Sequence, residues 1–444
     1  MGGKYLSLAH AGVVANNEFS LRTQYLDPVM AFTQLRLLVV FSLGYFVSYL
    51  FRGVNLGFAP FLIHDLGLSP GDLGTLTSLY FLGFAGAQIP VGVLLDRFGA
   101  RRVTACVMLI AAAGALTFSW AGGLGAMMVG RFLIGVGVSA CLGGAFKATA
   151  QHFDVGQLTF VNGIVMAAGG MGGVAVGTPL TWLLSITGWR SVGAGIAVLT
   201  AVAAAAIWIG APSKQEAHPH TSLVDQFKVT WHVLSSRAFW KLGAFSGLTQ
   251  SVFYAMQSLW VGAFLRDVSL AGTEGAAARA ATLVSVLGAA FIVGNLGFGA
   301  LARALERRGI SVYVTSGVTM VSFVLVQAMI AARVPLPESV LWAAYGALGG
   351  TGILTYAVLA EHFPARLLGR VNTSFTLVIF LAIFALQIAI GAALGHWPMH
   401  GGHYAAAAHK TVWAVLVAMQ AIAAVWYFMP AGRVRAAAAV DVKV

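Results

Sequence analysis

The chain has 444 residues, of which 59% are hydrophobic and only 9% charged, with a formal net charge of +12. Those proportions exclude an ordinary water-soluble domain. They also turn the basic excess away from nucleic acid, because most of the 26 Lys and Arg are sorted into every second polar gap between long apolar stretches. Such sorting marks the cytoplasmic loops of a multi-pass membrane protein, here of an inner (plasma) membrane with both termini cytoplasmic.

A helix needs about 20 apolar residues to cross the hydrocarbon core. Candidate spans lie at 35–62, 71–95, 103–122, 124–150, 158–184, 189–210, 239–265, 280–304, 310–332, 338–362, 370–395 and 411–430. Runs this long and continuous are helices rather than barrel strands, which alternate in short segments. The fold class is therefore an all-α membrane protein. Its predicted order is a cytoplasmic tail over 1–34, a six-helix bundle over 35–210, a cytoplasmic linker over 211–238, a second six-helix bundle over 239–430 and a tail over 431–444. The first 34 residues lack the basic start, short apolar run and cleavage site of a signal peptide, so insertion is expected through the first span. Cys106 and Cys141 both fall in spans, and no disulfide framework is implied.

An internal repeat supports the division into halves. His152-Phe-Asp-Val-Gly-Gln-Leu-Thr-Phe-Val-Asn-Gly163 aligns with His362-Phe-Pro-Ala-Arg-Leu-Leu-Gly-Arg-Val-Asn-Thr373, sharing His, Phe, Leu, Val and Asn at an offset of 362 − 152 = 210. Both segments join the fourth and fifth spans of their half. Parallel repeats of this kind place a binding site near the bilayer midplane, between halves that rock around it.

The turn between the second and third spans reads Gly92-Val-Leu-Leu-Asp96-Arg97-Phe-Gly99-Ala-Arg101-Arg102. Gly99 suits the tight turn, Gly92 would let a neighbouring helix come close, and Asp96 at a helix end would face a positive helix N-terminus. Span four carries Arg131-Phe-Leu-Ile-Gly135-Val-Gly137. Together these resemble the loop and fourth-helix motifs of the major facilitator superfamily, and the 6+6 plan extends the likeness over the chain. The resemblance implies a secondary transporter of an organic-anion-like branch. It further implies that Asp96, with Gly92, Arg97, Gly99, Arg101 and Arg102, latches the cytoplasmic side against span eleven. In the second half the counterpart Gly299-Ala-Leu-Ala-Arg303 puts Arg303 where the aspartate belongs, so gating is expected to be asymmetric.

Three cations fall inside spans: Arg52, Arg131 and Lys147. An Arg at a helix centre costs about 2.5–3.5 kcal/mol on insertion scales, which makes it a functional candidate by default. Span one carries Tyr45, Ser48, Tyr49, Arg52 and Asn55 at three- and four-residue steps, and span seven carries Ser246, Gln250, Tyr254 and Gln257. Two such stripes on equivalent helices are what a central site requires. Arg52, Tyr45, Tyr49, Asn55, Gln250, Tyr254 and Gln257 are therefore the expected substrate residues. Arg131 is placed near the outer end of span four, within reach of the interface, and Lys147 near the inner end; both are candidates for gating or coupling.

All acids, including Asp65, Asp72, Asp154, Asp267 and Glu361, sit at span ends, loops or tails. A central cation without a central anion favours a negatively charged substrate, since Arg pairs a carboxylate through two parallel bonds. The expected cargo is a small carboxylate-type metabolite, carried by a monomer in the lipid bilayer, with a co-transported proton or anion exchange as the open coupling modes. No cofactor, resident metal or enzyme activity is called for. The competing reading is a proton-coupled drug or metabolite exporter, for which the Gly-rich segment Gly169–Pro179 offers only a loose match; close packing and a kink at Pro179 are its simpler meaning. The loop histidines His396, His400, His403 and His409 are read as incidental rather than as a metal site.

Overall fold

A computed structural model describes residues 28–212, 223–364, 367–399 and 403–430. Arg366, His400, both terminal tails beyond those limits and the middle of the linker lie outside the described residues. The first half comprises α1 (Pro28–Leu66), α2 (Pro70–Phe98), α3 (Ala100–Ser119) and α4 (Leu124–His152). It continues with α5, in two segments Val155–Ala175 and Thr178–Ile186, and ends with α6 (Trp189–Gly210). A linker helix, Leu223–Leu234, follows.

In the second half α7 begins as Arg237–Ala255 and continues without a break to the segment Leu265–Ser269. Then come α8 (Ala276–Glu306), α9 (Val312–Ala331), α10 (Glu338–His362), α11 (Leu368–Leu394) and α12 (Ala406–Phe428). Among the described residues ten helices are long and apolar enough to cross a membrane, and α5, bent by 45° beside Pro179, makes an eleventh. The remaining span of the sequence reading is α7, whose turns widen to π-helix at Met256–Trp260 and again at Leu265–Ser269. The linker, read as a solvated connection, contains a helix whose exposed Val224, Phe227 and Trp231 fall at three- and four-residue steps. That spacing gives one apolar face, as in helices that lie in a membrane interface.

Local chemistry sets the helix ends. Ser69 caps α2: its Oγ accepts from the Asp72 amide at 3.1 Å, while its own amide donates to Asp72 Oδ2 at 2.9 Å. These reciprocal bonds, with Pro70 in the first turn, fix where the helix starts. Gly99 turns the chain between α2 and α3 at φ +81°, and Gly309 does the same between α8 and α9 at φ +82°. Their numbers differ by 309 − 99 = 210, the offset of the sequence repeat. The repeat is also visible in side chains. His152 Nδ1 lies 2.9 Å from the Ala148 carbonyl, and His362 Nδ1 lies 2.8 Å from that of Val358. Phe153 and Phe363 then end their helices with amides bonded to Thr149 and Leu359.

Glycine lets the backbones interlock. A Cβ on Gly135 would fall 2.0 Å from the Tyr80 carbonyl oxygen, and one on Gly346 2.2 Å from that of Leu287, so α4 presses on α2 as α10 presses on α8. In lipid, where apolar burial does not drive helices together, such close approach is a main source of cohesion. The halves meet in the same way: Gly74 of α2 sits against Gln387 and Gly391 of α11, and Gly177 beside α5 sits against Ala281 and Ser285 of α8. Gly92 has no neighbour within 4 Å of a Cβ position. The close approach expected there occurs instead at Gly74 and Gly83 on the same helix, because the end of α2 carrying Gly92 leaves the packed interior for the polar turn. Around the perimeter Val293, Ile422, Ile209 and Trp182 are exposed, as lipid-facing side chains are.

Candidate substrate site

Arg52 lies where α1 meets α7 and α11. It is 7% exposed, and its guanidinium carbon stands 4.3 Å from the Tyr49 ring, 4.9 Å from that of Tyr254 and 5.3 Å from that of Phe380. The Tyr49 and Tyr254 hydroxyls are 3.2 Å apart, linking α1 to α7 across the two halves. Tyr45 meets Tyr49 edge to face at 5.2 Å. Among the described residues the ionisable groups that interact with Arg52 are Tyr49, Tyr80, Tyr254, Tyr45 and Tyr356, none of them a carboxylate, and its Nε lacks a hydrogen-bond partner.

A desolvated cation–π contact is worth about 2 kcal/mol, comparable to the insertion cost of the charge. The rings can therefore hold the guanidinium in place. A carboxylate pairs with a guanidinium along its in-plane edge, through two parallel hydrogen bonds.

Helix α5 completes the wall. A Cβ on Gly169 would fall 2.4 Å from Tyr45 Cε1, and one on Gly172 would fall 2.9 Å from Tyr49 Cβ. The glycine run thus lets α5 press directly on the two tyrosines. Gly173 opens toward Gln257 Nε2, 3.9 Å from its Cβ position, and toward Tyr49.

The structure does not bring the whole of each stripe to Arg52. Asn55 donates through Nδ2 to Thr77 Oγ1 at 2.8 Å and is fully buried between α1 and α2. Gln250 donates to the Gly349 carbonyl at 3.0 Å, tying α7 to α10. Three-residue steps rotate a stripe by about 60° each, so Tyr49 and Asn55 diverge by about 120° around α1. Arg52, Tyr45, Tyr49, Tyr254 and Gln257 remain together. Four aromatic residues join them that polar patterning did not pick out. Phe380 lies over Arg52; Phe291 of α8 is 6.3 Å from Tyr49 and 6.2 Å from Tyr254. Tyr80 of α2 donates to the Ser48 carbonyl, and Tyr356 of α10 reaches Thr376 of α11.

Arg131 is 1% exposed. Rather than extending to the interface it turns inward, where one terminal nitrogen donates to the Phe51 carbonyl at 3.1 Å and the guanidinium lies near the Tyr80 and Phe118 rings. It thus braces α1 one residue before Arg52. Lys147 reaches Asp96 at 2.7 Å, tying α4 to the end of α2. Arg370, in the first turn of α11, interacts electrostatically with Asp96. Arg97 lies over Phe98, Arg101 over Trp208 of α6, and Arg102 lines a small recess beside Gly99 and His152.

At the opposite end Asp267 gathers the histidine loop. It accepts from the Tyr404 amide at 3.0 Å, with His403 Nδ1 at 2.8 Å and His409 Nε2 at 3.3 Å. Burial pushes its carboxyl up, but the hydrogen bonds from both histidines and Tyr404 outweigh that and hold it below the usual carboxylate range. His396 bonds its own helix, and no group of His, Cys, Asp and Glu among the described residues is arranged to hold a metal ion.

Membrane-crossing helices from both parts of the chain thus close on a buried arginine where α1, α7 and α11 meet. The family model for the Major Facilitator Superfamily matches residues 41–387, and the chain belongs to that family. Solved structures agree on the fold. The xylose transporter XylE from E. coli, in an inward-open conformation, superposes with a TM-score of 0.68 at 13% identity, covering 91% of this chain and 98% of that one. The nucleoside transporter NupG gives 0.64 at 16% identity over 89% and 98%.

Among sequence relatives, a probable sulfoacetate transporter of Cupriavidus necator is 28% identical over 159 residues, 36% of this chain and 37% of its own. A putative tartrate transporter of Agrobacterium vitis is 30% identical over 171 residues, 35% and 37% of the two chains. A gallate transporter of Pseudomonas putida is 28% identical over 170 residues, 37% and 36%. The matched stretch spans about a third of each of these relatives.

Proposed function

We propose that this protein is a secondary transporter that moves a small organic anion, a carboxylate-type metabolite, across a bacterial inner membrane by alternating access. The observation that carries the reading is Arg52: a buried charge at the junction of the halves, set over aromatic rings and surrounded by tyrosines rather than acids. A carboxylate seated on its edge would complete the charge balance of the site. Relatives described as carriers of sulfoacetate, tartrate and gallate, all anions at neutral pH, support the same class at low identity.

In this mechanism the Asp96 end faces the cytoplasm, with both termini on that side. The anion enters between α1 and α7 as Tyr49 and Tyr254 part, and its carboxylate replaces their mutual contact with bonds to Arg52 and a tyrosyl hydroxyl. Opening toward the cytoplasm then separates Asp96 from the start of α11. A proton carried with the substrate, or exchange against a second anion, drives net movement through a single chain.

The test is thermal-shift screening of purified protein against monocarboxylates, dicarboxylates, sugar phosphates, amino acids and cationic drugs, beside Arg52→Gln. Ligand that binds only the native state raises the melting temperature by mass action. The proposal expects anions to stabilise the wild type and the folded variant to lose that response. Stabilisation by lipophilic cations alone, equal in both proteins, would transfer the assignment to a drug exporter.

A further inference from the structure

We infer that the substrate is an aromatic carboxylate, with its ring held among Tyr49, Tyr254, Phe291 and Phe380 while Arg52 binds the acid group. The inference rests on the anion reading above and narrows it to one chemical class.

The first argument is what surrounds the charge. Arg52 is faced by three aromatic rings from three helices, α1, α7 and α11. Behind them the aromatic character continues. Phe291 of α8 lies about equally far from Tyr49 and Tyr254, and stacks on Phe253 at 5.1 Å with 15° between the rings. Phe380 stacks on Phe84 of α2 at 4.0 Å and 11°. These rings are buttressed and oriented, so a flat guest would meet preset faces and edges. Offset and edge-to-face contacts between rings contribute beyond simple area burial.

The second argument is which polar groups are absent from the wall. An aliphatic hydroxy acid needs a donor or acceptor for every hydroxyl it buries, since unpaired polar groups are costly in a closed site. Asn55 and Gln250, the two amides that could serve, turn their NH2 donors elsewhere, to Thr77 and to the Gly349 carbonyl. Near Arg52 there remain Gln257 and the tyrosyl hydroxyls. That complement suits one carboxylate and a sparsely substituted ring better than a chain of hydroxyls.

The third argument is reach. Tyr49 and Tyr254 meet hydroxyl to hydroxyl, at 3.2 Å. Parting them opens the space directly beside the guanidinium, flanked by ring faces, at the level where Gly173 has no side chain.

The experiment compares equilibrium binding of benzoate, cyclohexanecarboxylate and tartrate to detergent-purified full-length protein by titration calorimetry, with wild type, Phe291→Leu and Arg52→Gln. Benzoate and cyclohexanecarboxylate share carbon count and charge, so their difference isolates ring character from size. The inference expects benzoate to bind at least about tenfold tighter than cyclohexanecarboxylate, a gap within the range for aromatic pairing, with Phe291→Leu removing most of the gap. Equal binding of the two would overturn it. Tartrate binding that depends on Arg52, with benzoate inert, would overturn it while leaving the anion reading intact. No binding by any of the three acids, in protein shown folded by its melting transition, would count against both. A Phe291→Leu protein that fails to fold is replaced by Tyr254→Leu, for which the same loss of the gap is expected.

Discussion

Tyr49 and Tyr254 stand 205 residues apart and touch hydroxyl to hydroxyl at 3.2 Å. Arg52 and Gln257 are separated by the same interval, 257 − 52 = 205. Positions 205 residues apart on α1 and α7 therefore meet at Tyr49 and Tyr254, while the same interval sets Arg52 against Gln257, Tyr45 against Gln250 and Asn55 against Trp260.

The hydroxyl contact is a closing interaction in this account, separate from anion binding. A hydrogen bond of this kind is worth about 0.5–1.5 kcal/mol net. Tyr254→Phe keeps the ring over Arg52 and removes the contact, so the halves should part more readily. Anion affinity should change by less than about tenfold, while a cysteine placed near Gly173 should be alkylated faster than in wild type. An affinity loss as large as that of Arg52→Gln would contradict this division of roles.

Lys147 and Asp96 act as a pair in the same way. Asp96 is about half exposed, and a partly exposed ion pair contributes about 0–1 kcal/mol, a magnitude that would suit the proposed cytoplasmic gate. Asp96→Asn and Lys147→Gln should each change transport rate severalfold without altering anion affinity, and the double variant should be no worse than the more damaging single one. Fully additive losses in proteoliposome uptake would show that the two residues work independently.

The glycine contacts differ sharply from one another in what they tolerate. Gly135→Ala forces a Cβ to within 2.0 Å of the Tyr80 carbonyl oxygen, whereas Gly92→Ala meets nothing within 4 Å. Overpacking against backbone costs about 1–3 kcal/mol. The melting temperature in detergent should fall by several degrees for Gly135→Ala and stay within about a degree for Gly92→Ala. Equal shifts would mean that Gly135 does not hold α4 against α2.

Asp267 makes an acid-side prediction. Its carboxyl is held below the ordinary value of about 3.9 by bonds from His409, His403 and the Tyr404 amide, against the upward push of burial. The folded state thus favours the carboxylate. That contribution is complete above the unfolded value and is lost as pH falls through the lower folded one. Melting temperature should drop below about pH 4 in wild type, and Asp267→Asn should show a lower plateau near neutrality with a shallower acid fall. Parallel curves for the two proteins would remove Asp267 from the linkage.

The fold was legible because hydropathy, cation placement and the loop around Asp96 act over whole helices and survive local irregularity. The site was legible only in its charged and phenolic part. Arg52, Tyr49 and Tyr254 stand out as polar groups in apolar helices. Phe291 and Phe380 do not, since a phenylalanine in mid-span reads the same whether it faces lipid or a substrate. Asn55 and Gln250 were placed with the site because a stripe on one helix carries no information about its neighbour, and their partners, Thr77 and Gly349, lie on other helices. Lys147 was legible as a gating candidate but its partner was not, since Asp96 is 51 residues away and meets it only once α4 packs beside α2. The helix in the linker escaped notice because its 12 residues are too few for a span and sit in a stretch with Pro212, Pro219 and charged groups.

The measurement that bears most directly on the central claim is counterflow in proteoliposomes preloaded with unlabelled carboxylate, using wild type, Arg52→Lys and Arg52→Gln. The account expects labelled carboxylate to accumulate transiently with wild type, more than about tenfold less with Arg52→Lys because the bidentate fork is lost, and not at all with Arg52→Gln. Undiminished counterflow by Arg52→Gln would show that the buried arginine is a structural brace and that the anion is recognised elsewhere.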